Sequence, residues 1–252
     1  MTRTQRPPFV LFCDFGLPYT GQMKARLSTG APDHPIVDLF HDVPAYDVRA
    51  GSVLLAAFAH DFPPGSVFVC VVDPGVGSDL RKPGAVFAGG RWFVGPLNGV
   101  FEHVLRRWFE DAKAYEITWR PRPDQMSATF HGRDLFAPVA ARLATGDLGG
   151  LSPIDLDTVR HEDLADDVAE VIYADGFGNL MTGVRAKTLR DDETLEIAGR
   201  KLPRVRTFAE VESGALLCYE NAVGLMEIAA NQGNAHFILQ ISPPTPIKVT
   251  KV

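Results

Sequence analysis

The chain has 252 residues, enough for one large domain or two smaller ones with an ample core. Its 46% hydrophobic and 22% charged residues are those of a soluble globular protein, and no apolar run nears the ~20 residues of a membrane span. The formal net charge of −6 argues against broad nucleic-acid or anionic-membrane binding, and short clusters such as Arg106-Arg107 and Arg120-Pro121-Arg122 read as solvated faces. Three cysteines, Cys13, Cys70 and Cys218, lie far apart in apolar runs. They read as buried hydrophobes in a reducing compartment, with cytoplasm as the expected location.

Met1-Thr2-Arg3-Thr4-Gln5-Arg6 leads into a strand-like run over residues 8–13 and lacks the apolar core of a signal peptide. That strand ends in Asp14-Phe15-Gly16. A short helix is expected over 19–27, a strand over 36–40 followed by His41-Asp42-Val43-Pro44, and a helix over 50–62. Then comes Ser66-Val67-Phe68-Val69-Cys70-Val71-Val72, an unbroken apolar run that reads as a strand buried on both faces in mid-sheet. It stops at Asp73-Pro74-Gly75-Val76-Gly77-Ser78. Strand, helix, strand, helix, strand marks an α/β unit with a mostly parallel sheet flanked by helices. Polar residues at the carboxyl end of a central strand sit where open α/β sheets bind ligands, which makes Asp73 the first candidate carboxylate. The same residues also suit a plain strand end and turn. If the strands ending in Asp14 and Asp73 are neighbours, both carboxylates reach one sheet edge.

A hairpin follows, with strands at 85–87 and 92–94 about Gly89-Gly90, and Gly95-Pro96-Leu97-Asn98-Gly99 opens a helix over 100–109. Residues 115–119 are a further strand. In Thr129-Phe130-His131-Gly132-Arg133-Asp134-Leu135-Phe136, Asp134 is placed as a helix N-cap. His131 then precedes a helix N-terminus, where the imidazolium is disfavoured and the ring stays neutral and basic. A surface histidine fits the same pattern. Residues 146–161, rich in Gly and acidic side chains, read as a seam between domains 1–160 and 161–252. Beyond it, short strands over 168–173, 180–184, 194–198, 216–219, 224–228 and 235–241 suggest a small β-barrel or sandwich. Asp175-Gly176-Phe177-Gly178-Asn179 on its own is a hairpin turn.

Taken together, these segments resemble the S-adenosyl-L-methionine (SAM) hydroxide adenosyltransferases, the SAM hydrolases related to SAM-dependent fluorinase and chlorinase. The resemblance lies in Asp14-Phe15-Gly16 with Tyr19, Gly21, Met23 and Lys24, and in Ile36-Val37-Asp38 with His41 and Pro44. It continues in Val71-Val72-Asp73-Pro74-Gly75-Val76-Gly77, Gly95-Pro96-x-Asn98-Gly99 and Phe130-His131-Gly132-Arg133-Asp134-x-Phe136-Ala137-Pro138. Phe177-Gly178-Asn179-Leu180, Asn221-x-x-Gly224-x-x-Glu227-Ile228-Ala229 and Asn231-x-Gly233-x-Ala235 complete it. The resemblance implies an N-terminal α/β domain, a C-terminal small β-barrel, and a homotrimer with SAM bound between subunits. SAM is then the substrate, with no cofactor, metal, nucleic-acid or membrane partner.

By the same resemblance, Asp14 grips the ribose hydroxyls, a task that suits a bidentate acceptor, and Tyr46 packs beside the ribose. Asp73 and His131 match two members of an Asp-Arg-His set that orients and activates water. Asp175 and Asn179 hold the amino-acid end and the adenine side, Phe177 stacks on the purine, and Asn221 with the backbone around Ala229-Ala230 finishes the adenine pocket. The sequence departs from the pattern at Leu80, which stands where the family's first basic residue falls. Arg81, one place on, is the candidate third member. Leu97 and Ala222 are lesser departures, and the loop from Asp14 to Tyr19 is two residues short.

The expected reaction is substitution at the 5′ carbon of SAM by water, yielding adenosine and L-methionine. The departing thioether is neutral and needs no general acid. Asp73 is expected to orient the water and His131 to accept or relay its proton. No fluorinase-type insertion is evident, so halogenation is not expected. Two other readings remain open at this level. One is a SAM- or adenosine-binding protein with little catalysis, because of Leu80. The other is a metallohydrolase using Asp14, Asp38, His41, Asp73 and His131, although no close ligand pair of the HExxH kind is present.

Overall fold

A computed structural model describes residues 6–252, so the N-terminal reading of Met1 to Gln5 lies outside the described residues. The chain divides into two compact units, the first ending at Leu164 and the second spanning Ala165–Val252.

The first unit is built on a seven-stranded sheet of order β2-β1-β3-β5-β4-β6-β7. Its strands are β1 (Phe9–Cys13), β2 (Ile36–Phe40), β3 (Val67–Val71), β4 (Lys82–Ala88), β5 (Arg91–Leu97), β6 (Lys113–Ile117) and β7 (Leu151–Ile154). β2, β1, β3 and β5 run parallel, β4 is antiparallel to β5 and β6, and β7 to β6. Five strands (β1, β2, β3, β5 and β6) therefore share one direction, as the mostly parallel reading requires. Every residue of β1 and β3 is buried, because a strand covered by helices on both faces has no solvent side to alternate with.

Helices α1 (Tyr19–Gly30), α2 (Val48–Ala59), α3 (Glu102–Arg107) and α4 (Ala137–Ala144) complete this unit. α2 begins before the expected residue 50 because the Asp47 side chain accepts from the Ala50 N–H at 2.9 Å, capping the helix. α3 is shorter than expected: after Trp108 the chain tightens into a 3₁₀ turn over Phe109–Asp111. The glycine- and acid-rich stretch read as a seam instead contains β7. It is tied back further on, where the buried Glu102 carboxylate takes Arg160 Nη2 at 2.8 Å and the His161 N–H at 2.7 Å. Burial pushes the Glu102 carboxyl up, but Arg160, the His161 N–H and Arg106 outweigh it and hold the pKa at about 2.

The second unit holds two antiparallel sheets. One has five strands, β12 (Leu216–Glu220), β13 (Leu225–Ala230), β9 (Leu180–Arg185), β8 (Val168–Ala174) and β14 (Thr245–Pro246) in that order. The other has three, β11 (Arg200–Lys201), β10 (Glu193–Ile197) and β15 (Lys248–Lys251). Both contribute to one core, in which Val171, Leu180, Ile228 and Leu195 meet. Among the described residues no ladder joins strands of one sheet to strands of the other; they meet through side chains, as where Thr194 Oγ1 of β10 lies 3.3 Å from Cys218 Sγ of β12. Two packed sheets with a shared interior fit the sandwich side of the barrel-or-sandwich expectation, and among the described residues their strands do not close into one barrel. Residues 235–241 are not a strand: the Asn234 side chain accepts from the Phe237 N–H at 2.7 Å and starts helix α5 (Ala235–Leu239). The apolar run there suits either structure, and the cap decides.

Candidate active site

β1 and β3 are in parallel register, Cys13 opposite Val71, so the chain leaves both strands at one sheet edge. The Asp14 N–H donates to the Val71 carbonyl at 3.3 Å. Asp14 and Asp73 both line one cavity of about 210 Å³, with Tyr46, Thr129, Phe130 and His131 among its walls. The topology thus does what the sequence required of it, bringing two strand-end carboxylates to one place.

The loop after Asp73 turns tightly. The Val76 N–H donates to the Asp73 carbonyl, and Ser78 Oγ donates to the Gly75 carbonyl at 2.7 Å while accepting from the Leu80 N–H at 3.3 Å. Gly77 has φ +78°, and a Cβ there would lie 2.7 Å from the Ala128 carbonyl oxygen, so only glycine fits both the conformation and the space. This winding settles the departure at Leu80. Leu80 is 87% exposed, and Arg81 turns inward instead. Arg81 Nε donates to Asp73 Oδ1 at 3.0 Å, Nη2 donates to Oδ2, and the side chains are 5% and 3% exposed. The guanidinium also lies over the Phe136 ring at 5.7 Å. A buried bidentate pair is the geometry in which arginine and carboxylate hold each other most rigidly.

Arg81 Nη2 also stands 2.9 Å from His131 Nδ1. A guanidinium only donates, so Nδ1 accepts, and the neutral ring carries its proton on Nε2. Burial, and then the Arg81 charge, push the His131 pKa down, with Asp73 opposing. Burial and the Arg81 contact both favour a neutral ring, and with Nδ1 engaged by Arg81 the open nitrogen of that ring is an N–H donor and not a lone pair. The assumed local cause also differs. Asp134 is not an N-cap: it lies inside a wide π-helical turn, Gly132–Phe136, with its side chain buried. It accepts from the Ser127 N–H at 2.9 Å and from Arg133 Nε and Nη2, each at 2.7 Å. Arg133 and the Ser127 N–H overcome burial to hold its carboxyl below the usual range. Its work is to tie down the loop that carries His131.

Asp14 Oδ2 accepts from the Tyr46 N–H at 2.9 Å, and Tyr46 itself has φ +65° and a 74% exposed residue surface. Burial raises the Asp14 pKa, the Tyr46 N–H counters this, and Asp73 adds to it. Phe15, Tyr19 and Phe130 form an edge-to-face trio, with Phe130 centroids 5.7 Å and 5.4 Å from Phe15 and Tyr19. Phe15, Thr129 and Phe130 also line the cavity, residues to which the sequence assigns no role, although Phe15 adjoins Asp14 and Phe130 adjoins His131.

The candidates of the second unit form two local clusters. Asp175 Oδ1 accepts from the Phe177 and Asn179 N–H groups at 2.9 and 2.8 Å, and Oδ2 from Asn179 Nδ2 at 3.0 Å. This internally braced turn presents the Phe177 ring, 79% exposed. Asn221 Oδ1 accepts from the Val223 and Leu225 N–H groups, and Nδ2 donates to the buried Glu227 at 3.0 Å. Tyr219 donates its hydroxyl to the same carboxylate, and burial with Glu227 pushes the phenol pKa up. Ala230 is buried, and its carbonyl accepts from the Gly233 N–H at 3.1 Å. Among the described residues no three His, Cys, Asp or Glu side chains are grouped to hold a metal ion; Asp38 pairs with Lys24 at 2.5 Å and Asp73 with Arg81. No helix among the described residues is long and apolar enough to cross a membrane.

Known proteins resemble this chain over nearly its whole length. The profile of the SAM hydroxide adenosyltransferase N-terminal domain matches residues 9–151, and that of the C-terminal domain matches residues 169–248. The chain is 38% identical to an (R)-S-adenosyl-L-methionine hydrolase of Thermus thermophilus, over 96% of this chain and 99% of that one. A protein of the same name from Salinispora arenicola is 36% identical, over 96% and 98% of the two chains. Among solved structures, an uncharacterized conserved protein from Thermotoga maritima superposes with a TM-score of 0.80 at 29% identity, covering 96% of this chain and all of that one.

Proposed function

Because this chain belongs to the SAM hydroxide adenosyltransferase family, we propose that it hydrolyses SAM to adenosine and L-methionine at the Asp73–Arg81–His131 edge. The observation that carries the reading is the inward turn of Arg81, which joins a buried carboxylate to a cavity-lining imidazole. Without it the leucine at position 80 would leave the set incomplete, and a binding protein would be the better reading.

In this mechanism the His131 Nε2–H donates to the oxygen that attacks, and Arg81 supplies positive charge behind it, held in place by Asp73. Donors and positive charge around one oxygen favour its hydroxide form, the departing proton passing to solvent before attack. The oxygen then forms its bond to the ribose 5′ carbon, the carbon–sulfur bond breaks, and its electron pair stays on the methionine sulfur. Atoms and charge balance: a sulfonium and a hydroxide give two neutral groups. Alignment and exclusion of bulk water supply the rest of the acceleration. Asp14 takes the ribose hydroxyls, Tyr46 flanks the sugar, and Phe177 stacks on the purine. Asp175 and Asn179 serve the methionine end and the adenine side by holding that turn, and Asn221 and Ala230 shape the rest of the adenine pocket.

The cavity of about 210 Å³ is smaller than the ~300–1,000 Å³ usual for sites that bury a ligand of this size. More walls are needed, and the exposed Phe177 turn is of the kind that supplies one. This supports a homotrimer with SAM between subunits, and the three buried free thiols support a cytoplasmic setting. Chromatography of SAM incubated with the protein tests the reaction: adenosine and methionine are expected, and intact SAM overturns it. Appearance of 5′-chloro-5′-deoxyadenosine in chloride would instead indicate halogenation. Light scattering tests the trimer, which a monomeric mass would overturn.

A further inference from the structure

The Arg120-Pro121-Arg122 cluster, read from sequence as a solvated face, lines a second and larger cavity, of about 1010 Å³. Arg26 of α1 and Arg133 of the π-helical turn join it there, so four guanidiniums, three from residues 120–133 and one from a distant helix, line one cleft in a protein of net charge −6. Two carboxylates face them. Asp134 takes Arg133 at 2.7 Å and stands 3.7 Å from Arg26, and Asp124 stands 3.7 Å from Arg122. Four positive against two negative side chains leave the lining with a surplus of two positive charges. Arg120 is held by its backbone: Nη1 donates to the carbonyls of Ile117 and Trp119. Carbonyl partners orient a guanidinium without neutralising it.

We propose that this cleft binds a small molecule carrying a di- or triphosphate chain, and that its occupancy regulates the neighbouring Asp73–Arg81–His131 site. Guanidiniums match phosphate oxygens in pairs, and several spread around one wide cavity suit a chain of phosphates better than a single one. The two cavities share a wall. Ser127, Arg133 and Asp134 line the cleft, whereas Thr129 to Gly132, between them in sequence, line the cavity at Asp73. The charges acting on His131 are Arg81, Asp73, Arg120 and Asp134, and Arg120 helps to hold its pKa down. An anion that neutralises Arg120 relaxes that hold, so His131 titrates at higher pH with the cleft filled. The binding claim is independent of the assigned reaction; the regulatory claim rests on it.

Calorimetric titration of the full chain with inorganic triphosphate and with uridine triphosphate, at fixed ionic strength, tests the proposal. Binding is expected for at least one probe: inorganic triphosphate alone suffices if the chain is the whole ligand, and the nucleotide binds more tightly if its base is also read. Arg120→Gln and Arg26→Gln should each weaken it about tenfold, as loss of a charged hydrogen-bond donor implies. Arg122→Gln, at an exposed position, is a second variant that does not threaten folding. Absence of binding by both probes, equal affinity in all variants, or displacement of the probe by adenosine would overturn the site. With triphosphate bound, the acid limb of SAM hydrolysis should move to higher pH. An unmoved limb, with binding intact, would overturn the coupling alone.

Discussion

Arg81 Nη2 and His131 Nδ1 lie 2.9 Å apart, and that contact decides which nitrogen of the imidazole is left to face a reacting oxygen. Because the guanidinium cannot accept, the ring is held as the Nε2–H tautomer, with Asp73 holding the guanidinium in turn. Carboxylate, guanidinium and imidazole form a chain in which each member orients the next.

Replacing Arg81 and replacing Leu80 should have opposite consequences. Arg81→Met leaves the buried Asp73 carboxylate unpaired and should destabilise the fold by about 3–5 kcal/mol, with turnover lost. Leu80→Ala, at an 87% exposed position, should stay within about 0.5 kcal/mol of the parent and keep its turnover. Denaturant melts and product chromatography on both variants check this. A silent Arg81→Met would remove Arg81 from the site.

Asp73→Asn retains shape but loses the charge that fixes Arg81. Turnover is expected to fall by about 10²–10³-fold, while the affinity for adenosine changes by less than about threefold. Equal losses in turnover and affinity would make Asp73 a binding residue only.

Since His131 is held below the ordinary histidine value, its neutral form persists in mildly acidic solution. A folded-state pKa below the unfolded one gives stability that is complete above about 6.5 and is lost as pH falls through the lower folded value. Activity and stability should thus both have acid limbs below pH 6.5, and His131→Gln should flatten the stability limb. A pH–rate limb at or above the free-histidine value would contradict the assignment.

Gly77→Ala sets a Cβ 2.7 Å from the Ala128 carbonyl at φ +78°. The expected cost is about 1–3 kcal/mol, with a fall in kcat because the same loop turns Arg81 inward. Wild-type melting and kcat in this variant would show that the loop tolerates another path.

Phe177→Ala separates binding from stability. The ring is 79% exposed, so the melting temperature should hardly move, whereas adenosine affinity should fall about tenfold, as loss of a stacking face worth ~1.4 kcal/mol implies. Titration with adenosine measures it, and unchanged affinity would remove Phe177 from the purine site.

Much of this was legible along the chain. The unbroken apolar runs of β1 and β3 and the aspartates ending them can be read one residue at a time, because burial on both faces imposes composition directly. The family motifs, spread from Asp14 to Ala235, fixed the family because they pair fixed side-chain types with fixed spacing along the chain.

Other features depended on contacts between distant segments, which no local pattern encodes. Residues 235–241 suit a strand by composition, and a side-chain cap from Asn234 made them a helix. Asp134 has the look of a cap, yet Ser127 and Arg133 drew it inside a π-helical turn. Position 80 held a leucine where an arginine was expected, and whether Arg81 could substitute turned on the winding of one loop. Gly77 against Ala128 and Ser78 against Gly75 set that winding, and through it the arginine's direction. The sequence by itself determined the buried strands β1 and β3, their terminal carboxylates and the family. The tertiary structure alone decided which charged groups meet, because an ion pair is a relation in space between residues that the chain keeps apart.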